Sequence, residues 1–296
     1  MFRNLLLFVV AALALASGPA VAKVRVAAST NDLASIASRI GGDEIEVFAI
    51  ARANSDPHRV EALPSYMVKV SRAQVYLKVG LGLDQWAGAI IDGSRNDKVL
   101  LVDCSKGVPV LERPTGKVDA SMGDVHPDGN PHYWLDPRNG ATIGQNIAEA
   151  LTRVDPAHAV LYRANAESFA KETAASYEKN HARAARLASK AVLTYHRSWS
   201  YLADAFGLEV VATVEPVPGI PPTAKHLALL VQTAKARKVG VLLQEPYFSA
   251  EAGRFLVRQA GVRVVTQSSA CADITAGSYL AHFDNLFDAL AGGTAP

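Results

Sequence analysis

The stretch DPAHAVLYRANAESFAKETAASYEKNHARAARLASK, Asp155 to Lys190, decides the fold. After Pro156 it contains neither glycine nor proline, and alanines, Tyr162, Phe169 and Tyr177 mix with Lys, Arg and Glu throughout. Such residues cost little in a helix, so the stretch reads as one helix of around 30 residues, spanning on the order of 45 Å. A helix that long exceeds the crossover of a single α/β unit. It reads as a stiff spine joining two domains.

The chain on either side of the spine has one design. Upstream, Lys23 to Ser29 alternates as a strand and ends at the helix-start residues Asn31 and Asp32. Ile45 to Ile50, Val75 to Val79 and Val99 to Val102 are further strands, with helices over Leu33–Ile40, Glu61–Ser71 and Asp84–Ile91 between them. Downstream the pattern restarts, with strands at Ala191–Thr194, Val210–Val214, Val239–Leu243 and Val262–Val265. Helices at Ser198–Phe206, Thr223–Ala236, Phe248–Ala260 and Ser278–Leu290 follow them in turn. Mainly apolar strands alternating with helices argue parallel sheets covered on both faces. The expected class is α/β, two lobes with mainly parallel sheets joined by one long helix. The expected divisions are a leader over 1–22, an N-terminal lobe over 23–154, the linking helix over 155–190 and a C-terminal lobe over 191–296.

Residues 1–22 read as a secretory signal peptide: Arg3 supplies the positive start, Leu5 to Leu15 the apolar core, and Ala20-Val21-Ala22 the cleavage site. The apolar run falls short of the about 20 residues that span a bilayer. No cysteine follows the apolar core to accept a lipid, so a soluble mature protein starting at Lys23 in a periplasm is expected. With 49% hydrophobic and 20% charged residues and a formal net charge of +2, the composition is ordinary globular and gives no sign of nucleic-acid binding. The two cysteines, Cys104 and Cys271, are far apart; export permits a disulfide, and two buried free thiols fit as well.

The chemistry concentrates around residues 123–137, Gly-Asp-Val-His-Pro-Asp-Gly-Asn-Pro-His-Tyr-Trp-Leu-Asp-Pro. Asp136 suits an N-cap and Pro137 the first helical position, with Ile143, Ile147 and Leu151 on one helix face beyond them. His132 therefore stands in a loop stiffened by Pro127, Pro131 and Pro137, just before a helix. His58 follows the second strand, and His196 follows the first strand of the second lobe. Ligands collect at that carboxyl edge of open α/β sheets. Any one of these histidines alone fits a surface or capping role. Three neutral imidazoles and an oxygen donor meeting in an interlobe cleft would make a tetrahedral Zn2+ site. His158, His181, His226 and His282 fall inside expected helices and read as exposed, while His126 shares the loop with His132 as a neighbour. Glu61 and Asp136 have capping or solvent roles open to them, and Glu61 is equally placed to orient a ligand imidazole.

These motifs resemble the zinc/manganese substrate-binding proteins of ABC importers, the cluster A-I group, over essentially the whole mature chain. The resemblance is carried by the Asp-Pro-His58 turn with Glu61 after it, Pro-His132-x-Trp-Leu-Asp-Pro137, the spine helix, Tyr195-His196, and Glu245-Pro-x-Phe248. It implies a metal bound between two lobes, with His58, His132 and His196 as ligands. Manganese members usually carry a carboxylate where this chain has His196, and a third imidazole favours zinc over Mn2+. The family's Asp after the last strand is replaced here by Thr266-Gln267-Ser268. The fourth ligand is expected to be Glu245, with Gln267, water and Cys271 as alternatives. The resemblance further implies a monomer with no catalytic residues, handing metal to an ABC permease in the inner membrane. A rival class, a secreted zinc hydrolase with Glu245 as general base, lacks any H-E-x-x-H motif.

Overall fold

The computed structural model describes residues 22–116, 118–119, 122–123 and 125–292. The expected leader lies outside them except for its last residue. Eight strands form two four-stranded sheets: β1 (Val24–Thr30), β2 (Ile45–Ala51), β3 (Val75–Lys78) and β4 (Leu100–Asp103) in the first. The second holds β5 (Ala191–Thr194), β6 (Glu209–Thr213), β7 (Val241–Gln244) and β8 (Arg263–Thr266). Their orders, β2-β1-β3-β4 and β6-β5-β7-β8, are the same winding, and every pairing is parallel. In each sheet the order reverses between the first and third strands, which opens a crevice at their carboxyl ends.

The strands are apolar on both faces because both faces are covered. On β1, Val26 and Ala28 join one core cluster while Ala27 joins another; on β3, Leu77 and Tyr76 divide the same way. The largest cluster runs through both lobes. It takes in Ile36 and Leu77 from the first, and Val192, Leu243 and Phe283 from the second.

Nine helices flank the sheets among the described residues: α1 (Asn31–Gly41), α2 (Pro64–Val70), α3 (Ala87–Ser94), α4 (Pro137–Val154), α5 (Ala159–Ala184), α6 (Ser200–Phe206), α7 (Ala224–Ala236), α8 (Ala250–Ala260) and α9 (Ser278–Leu290). At the start of α4, Asp136 accepts a hydrogen bond from the Arg138 backbone N–H at 2.9 Å, and Pro137 takes the first helical position.

The spine is α5, with 26 residues. It is shorter than expected because Pro156–His158 close a 3-10 turn first, and the chain turns again after Ala184. Its buried residues, Tyr162, Ala166, Phe169, Thr173, Asn180 and Ala184, keep a three-and-four spacing, which draws one seam along an otherwise exposed helix. That seam meets both lobes. Phe169 packs on Tyr279 of α9, Tyr177 stacks on Phe206 of α6 at 5.7 Å, and Asn165 donates to the Ile40 carbonyl of α1.

Two expectations are corrected or decided by burial. His282 on α9, expected to be exposed, is buried, because α9 packs along α1 and the spine instead of lying on the surface. Cys104 and Cys271 are both buried free thiols. No helix among the described residues is long and apolar enough to cross a membrane.

Candidate metal centre

Each of the three histidines is held by a short local device. In Asp56-Pro57-His58, one carboxylate oxygen of Asp56 accepts both the backbone N–H of His58 and its ring Nδ1, each at 2.9 Å. In Asn130-Pro131-His132 the amide oxygen of Asn130 does the same, each at 3.0 Å. Short Asx side chains readily fold back on the backbone two residues on, and the intervening proline limits the alternatives. His196 leaves β5 in an extended conformation, and its Nδ1 lies 2.6 Å from the Glu215 carboxylate at the end of β6. Glu215 is itself fixed by its backbone N–H to the Tyr195 carbonyl and by the Gly219 N–H on its carboxylate.

These contacts favour one tautomer for each ring. The Asn130 amide nitrogen donates to Glu112, to the Arg197 carbonyl and to Ser200, so the amide oxygen is the end facing His132. An amide oxygen and carboxylates only accept, so each imidazole donates from Nδ1, and Nε2 is the nitrogen at which a proton or a metal ion can bind. The Nε2 atoms of His58 and His132 are buried with no hydrogen-bond partner among the described residues. A ligand nitrogen from each of His58, His132 and His196 lies within 4.8 Å of the others. Ring centroids stand 5.2 Å apart for His58–His132 and His58–His196, and 5.8 Å for His132–His196. Two imidazoles on one tetrahedral ion, with metal–nitrogen bonds of about 2.0–2.1 Å, have centroids roughly 5 Å apart. Three imidazoles at that spacing can hold one divalent metal ion.

The electrostatics differ from ring to ring. Burial, and then the neighbouring imidazoles, push His132 well below its ordinary value, so it stays neutral. Burial works against a charge on His196 as well, but the Glu215 hydrogen bond and the Glu245 and Asp56 carboxylates outweigh it and hold its pKa above the ordinary value. For Asp56, burial opposes ionisation, but its bonds to His58 hold the carboxyl below the usual range.

The other residues singled out by sequence are placed as follows. Glu245 follows β7 at the sheet's switch point, completely buried, and is not part of the three-histidine group. One of its oxygens accepts from Ser198 at 2.6 Å, and the other has no partner among the described residues. Burial pushes its carboxyl up to about 7, against the Ser198 bond and the nearby His196. Glu61 is exposed, and the group that holds the His58 ring is Asp56. Gln267 lines a different cavity, away from the histidines. His126 stacks on His58 at 5.3 Å. Trp134 lies beside His132, and its indole N–H donates to the Ser269 carbonyl.

Asp56, Asn130 and Glu215 escaped the sequence reading as partners of the site. For the first two a signal exists: the tripeptide Asx-Pro-His occurs at both 56–58 and 130–132. Glu215 meets His196 only through the pairing of β5 with β6 and has no local signal.

The family described as zinc-uptake complex component A, periplasmic, matches residues 26–293. The chain belongs to this family. It is a metal-binding substrate-binding protein with the two-lobed fold expected from its sequence. Among curated relatives, a putative metal-binding protein of Treponema pallidum is 27% identical over 251 residues, covering 82% of this chain and 78% of that protein. A crystal structure of ZnuA superposes with a TM-score of 0.80 at 24% identity, covering 92% of this chain and 99% of that one. The substrate-binding protein FpvC of Pseudomonas aeruginosa, in complex with Mn2+, superposes with a TM-score of 0.75 at 28% identity, covering 91% and 97%.

Proposed function

We propose that this chain captures Zn2+ through the Nε2 atoms of His58, His132 and His196 and delivers it to an ABC permease in the inner membrane. The observation that carries this reading is that one nitrogen from each of the three rings lies within 4.8 Å of the others while every Nδ1 rests against a fixed acceptor, which leaves Nε2 for the metal. Glu245 is the fourth ligand in this reading. Its unpartnered buried oxygen beside His196 supports that assignment. The protein works as a periplasmic monomer after loss of residues 1–22 and catalyses no reaction. Its first lobe ends at residue 154, and its second begins at 191.

Three imidazoles favour zinc over harder ions. Mn2+ is the second reading, favoured by the likeness to FpvC in complex with Mn2+ and by the carboxylate of Glu245. Crystals grown with equimolar zinc and manganese, measured at each absorption edge, test the proposal. A single zinc peak among the three Nε2 atoms supports it. A manganese peak there overturns the choice of metal, and a peak elsewhere overturns the site.

A further inference from the structure

The second lobe meets the first through two groups of hydrogen bonds, one following β8 and the other following β5. In the first group, α1 turns a polar face to residues 268–279, which lead from β8 into α9. Asn31, Ser35 and Ser38 share that face, four and three residues apart. Asn31 donates to the Cys271 and Ala272 carbonyls at 3.1 Å, Ser35 to the Thr275 carbonyl at 2.6 Å, and Ser38 to the Ile274 carbonyl at 2.7 Å. In return, Asp32 accepts the Cys271 backbone N–H and Ser35 the Tyr279 backbone N–H, each at 3.0 Å. The same segment reaches both histidine-bearing stretches of the first lobe. Ser268 donates to the Ala53 carbonyl, and the Ser269 carbonyl accepts the Trp134 indole N–H. By its bonds this clasp belongs to the first lobe, although the chain places it in the second.

The second group is built differently. Tyr201 accepts the Leu111 backbone N–H at 2.9 Å and donates to the Asn130 carbonyl at 3.0 Å. Ser200 donates to Glu112 at 2.8 Å, and Asn130 to the Arg197 carbonyl at 2.9 Å. Leu111 is half-buried and Glu112 exposed, so water can replace these bonds as they break. Parting the clasp costs far more. It is continuous with α9, which packs along α1 and the spine and buries Phe283, Leu286 and Phe287, so both the bonds and that apolar surface would be lost together.

The sheet order turns this difference into a lever. In β6-β5-β7-β8 the strand next to the clasp is the edge strand β8, with β5 roughly 10 Å and β6 roughly 14 Å away from it. Arg263, at the amino end of β8, donates to the Ala289 and Leu290 carbonyls and so ties that edge to α9. The remaining contact of the sheet with α9, through Val192, Leu243, Val265 and Phe283, is apolar; it has no preferred direction and tolerates a small slide. We propose that metal release opens the cleft on one side only: residues 268–290 stay with the first lobe, and β5 and β6 tilt about the β8 edge, carrying His196 and Glu215 away from His58 and His132. This rests on the reading of His196 as a ligand of the transported ion.

Amide hydrogen exchange, resolved by NMR on the mature protein with and without one equivalent of zinc, tests the proposal. Removing zinc should speed exchange at the Leu111 N–H by roughly tenfold or more, because a bound ion holds the closed form, and leave the Cys271 and Tyr279 N–H groups unchanged. Tyr201→Phe, which loses bonds of the second group, should speed zinc dissociation by roughly tenfold. Ser38→Ala, which loses a bond of the clasp, should lower thermal stability and leave the dissociation rate at the wild-type value. Exchange at Cys271 and Tyr279 that quickens in step with Leu111 overturns the proposal, since the whole lobe then parts. So does unchanged exchange at Leu111 in a protein that binds one zinc. If no zinc binds, the metal reading fails instead, and the metal-free protein decides the clasp: Cys271 and Tyr279 must exchange more slowly than Leu111, and equal protection overturns it.

Discussion

The carboxylate of Glu215 lies 2.6 Å from Nδ1 of His196, and both side chains are buried. The pair ties the candidate metal ligand of the second lobe to the end of β6 and sets its Nδ1 away from the cleft. Glu215→Ala should leave the fold intact and lower zinc affinity by roughly 10–100-fold, as loss of such an orienting partner does at metal sites. Chelator competition on the two proteins measures it. Unchanged affinity would mean that the cleft orients His196 without Glu215.

The same pair sets a pH dependence. A proton and a metal ion compete for Nε2 of His196, whose pKa is held above 6.5. Affinity should be undiminished above that raised value and fall as pH drops through it, while His132, already neutral, adds no competition near neutrality. In the metal-free protein the sign reverses. The charged His196–Glu215 pair contributes stability that is fully present below the unfolded pKa and is lost as pH rises through the folded one. Calorimetry of zinc binding in buffers of different ionisation enthalpy should report proton release near the pKa of His196. Glu215→Ala should move that release to lower pH.

Asn130 is the strut between the lobes at the metal centre. Its oxygen holds His132 while its nitrogen donates to the Arg197 carbonyl, the residue after His196, at 2.9 Å. Asn130→Asp keeps the acceptor for His132 but loses the donors and sets a second carboxylate beside Glu112. Zinc dissociation into a chelator, followed by stopped flow, should accelerate by roughly tenfold, the worth of one or two buried hydrogen bonds. Asn130→Ala, which also frees the His132 ring, should dissociate faster still. A rate equal to wild type in Asn130→Asp would show that the strut does not hold the cleft.

Phe169 sits fully buried on the seam of the spine, against Tyr279. Phe169→Ala should cost about 3–5 kcal/mol. Because one core cluster runs through both lobes, probes in either lobe should report the same shifted transition on thermal or denaturant unfolding. Separate transitions, with only one moved, would show that the lobes fold independently.

Much of this molecule was legible in its residues, for identifiable reasons. Strands covered on both faces must be apolar throughout, so β1, β3, β5 and β7 stood out. Asp136-Pro137 marked the start of α4, and the glycine-free run marked the spine, because capping and propensity act locally. His58, His132 and His196 were readable from their shared position after strands or before a helix. What could not be read is what tertiary structure alone brings together. Glu215 reaches His196 only because β6 pairs with β5, and His282 is buried only because α9 folds back along α1 and the spine. Gln267 stands one residue beyond β8, in the stretch read as replacing the family's Asp, and it lines the other cavity. The repeated Asx-Pro-His tripeptide was visible in the sequence, but its meaning needed the ring orientations.

The central claim is that three imidazoles from two lobes hold one metal ion, and zinc stoichiometry with affinity by chelator competition on the mature protein tests it most directly. His196→Ala should be run beside the wild type. The account predicts one tight zinc per chain, with affinity badly weakened or lost in His196→Ala and the fold unchanged by circular dichroism. Weak binding in the wild type, or binding indifferent to His196→Ala, would contradict it.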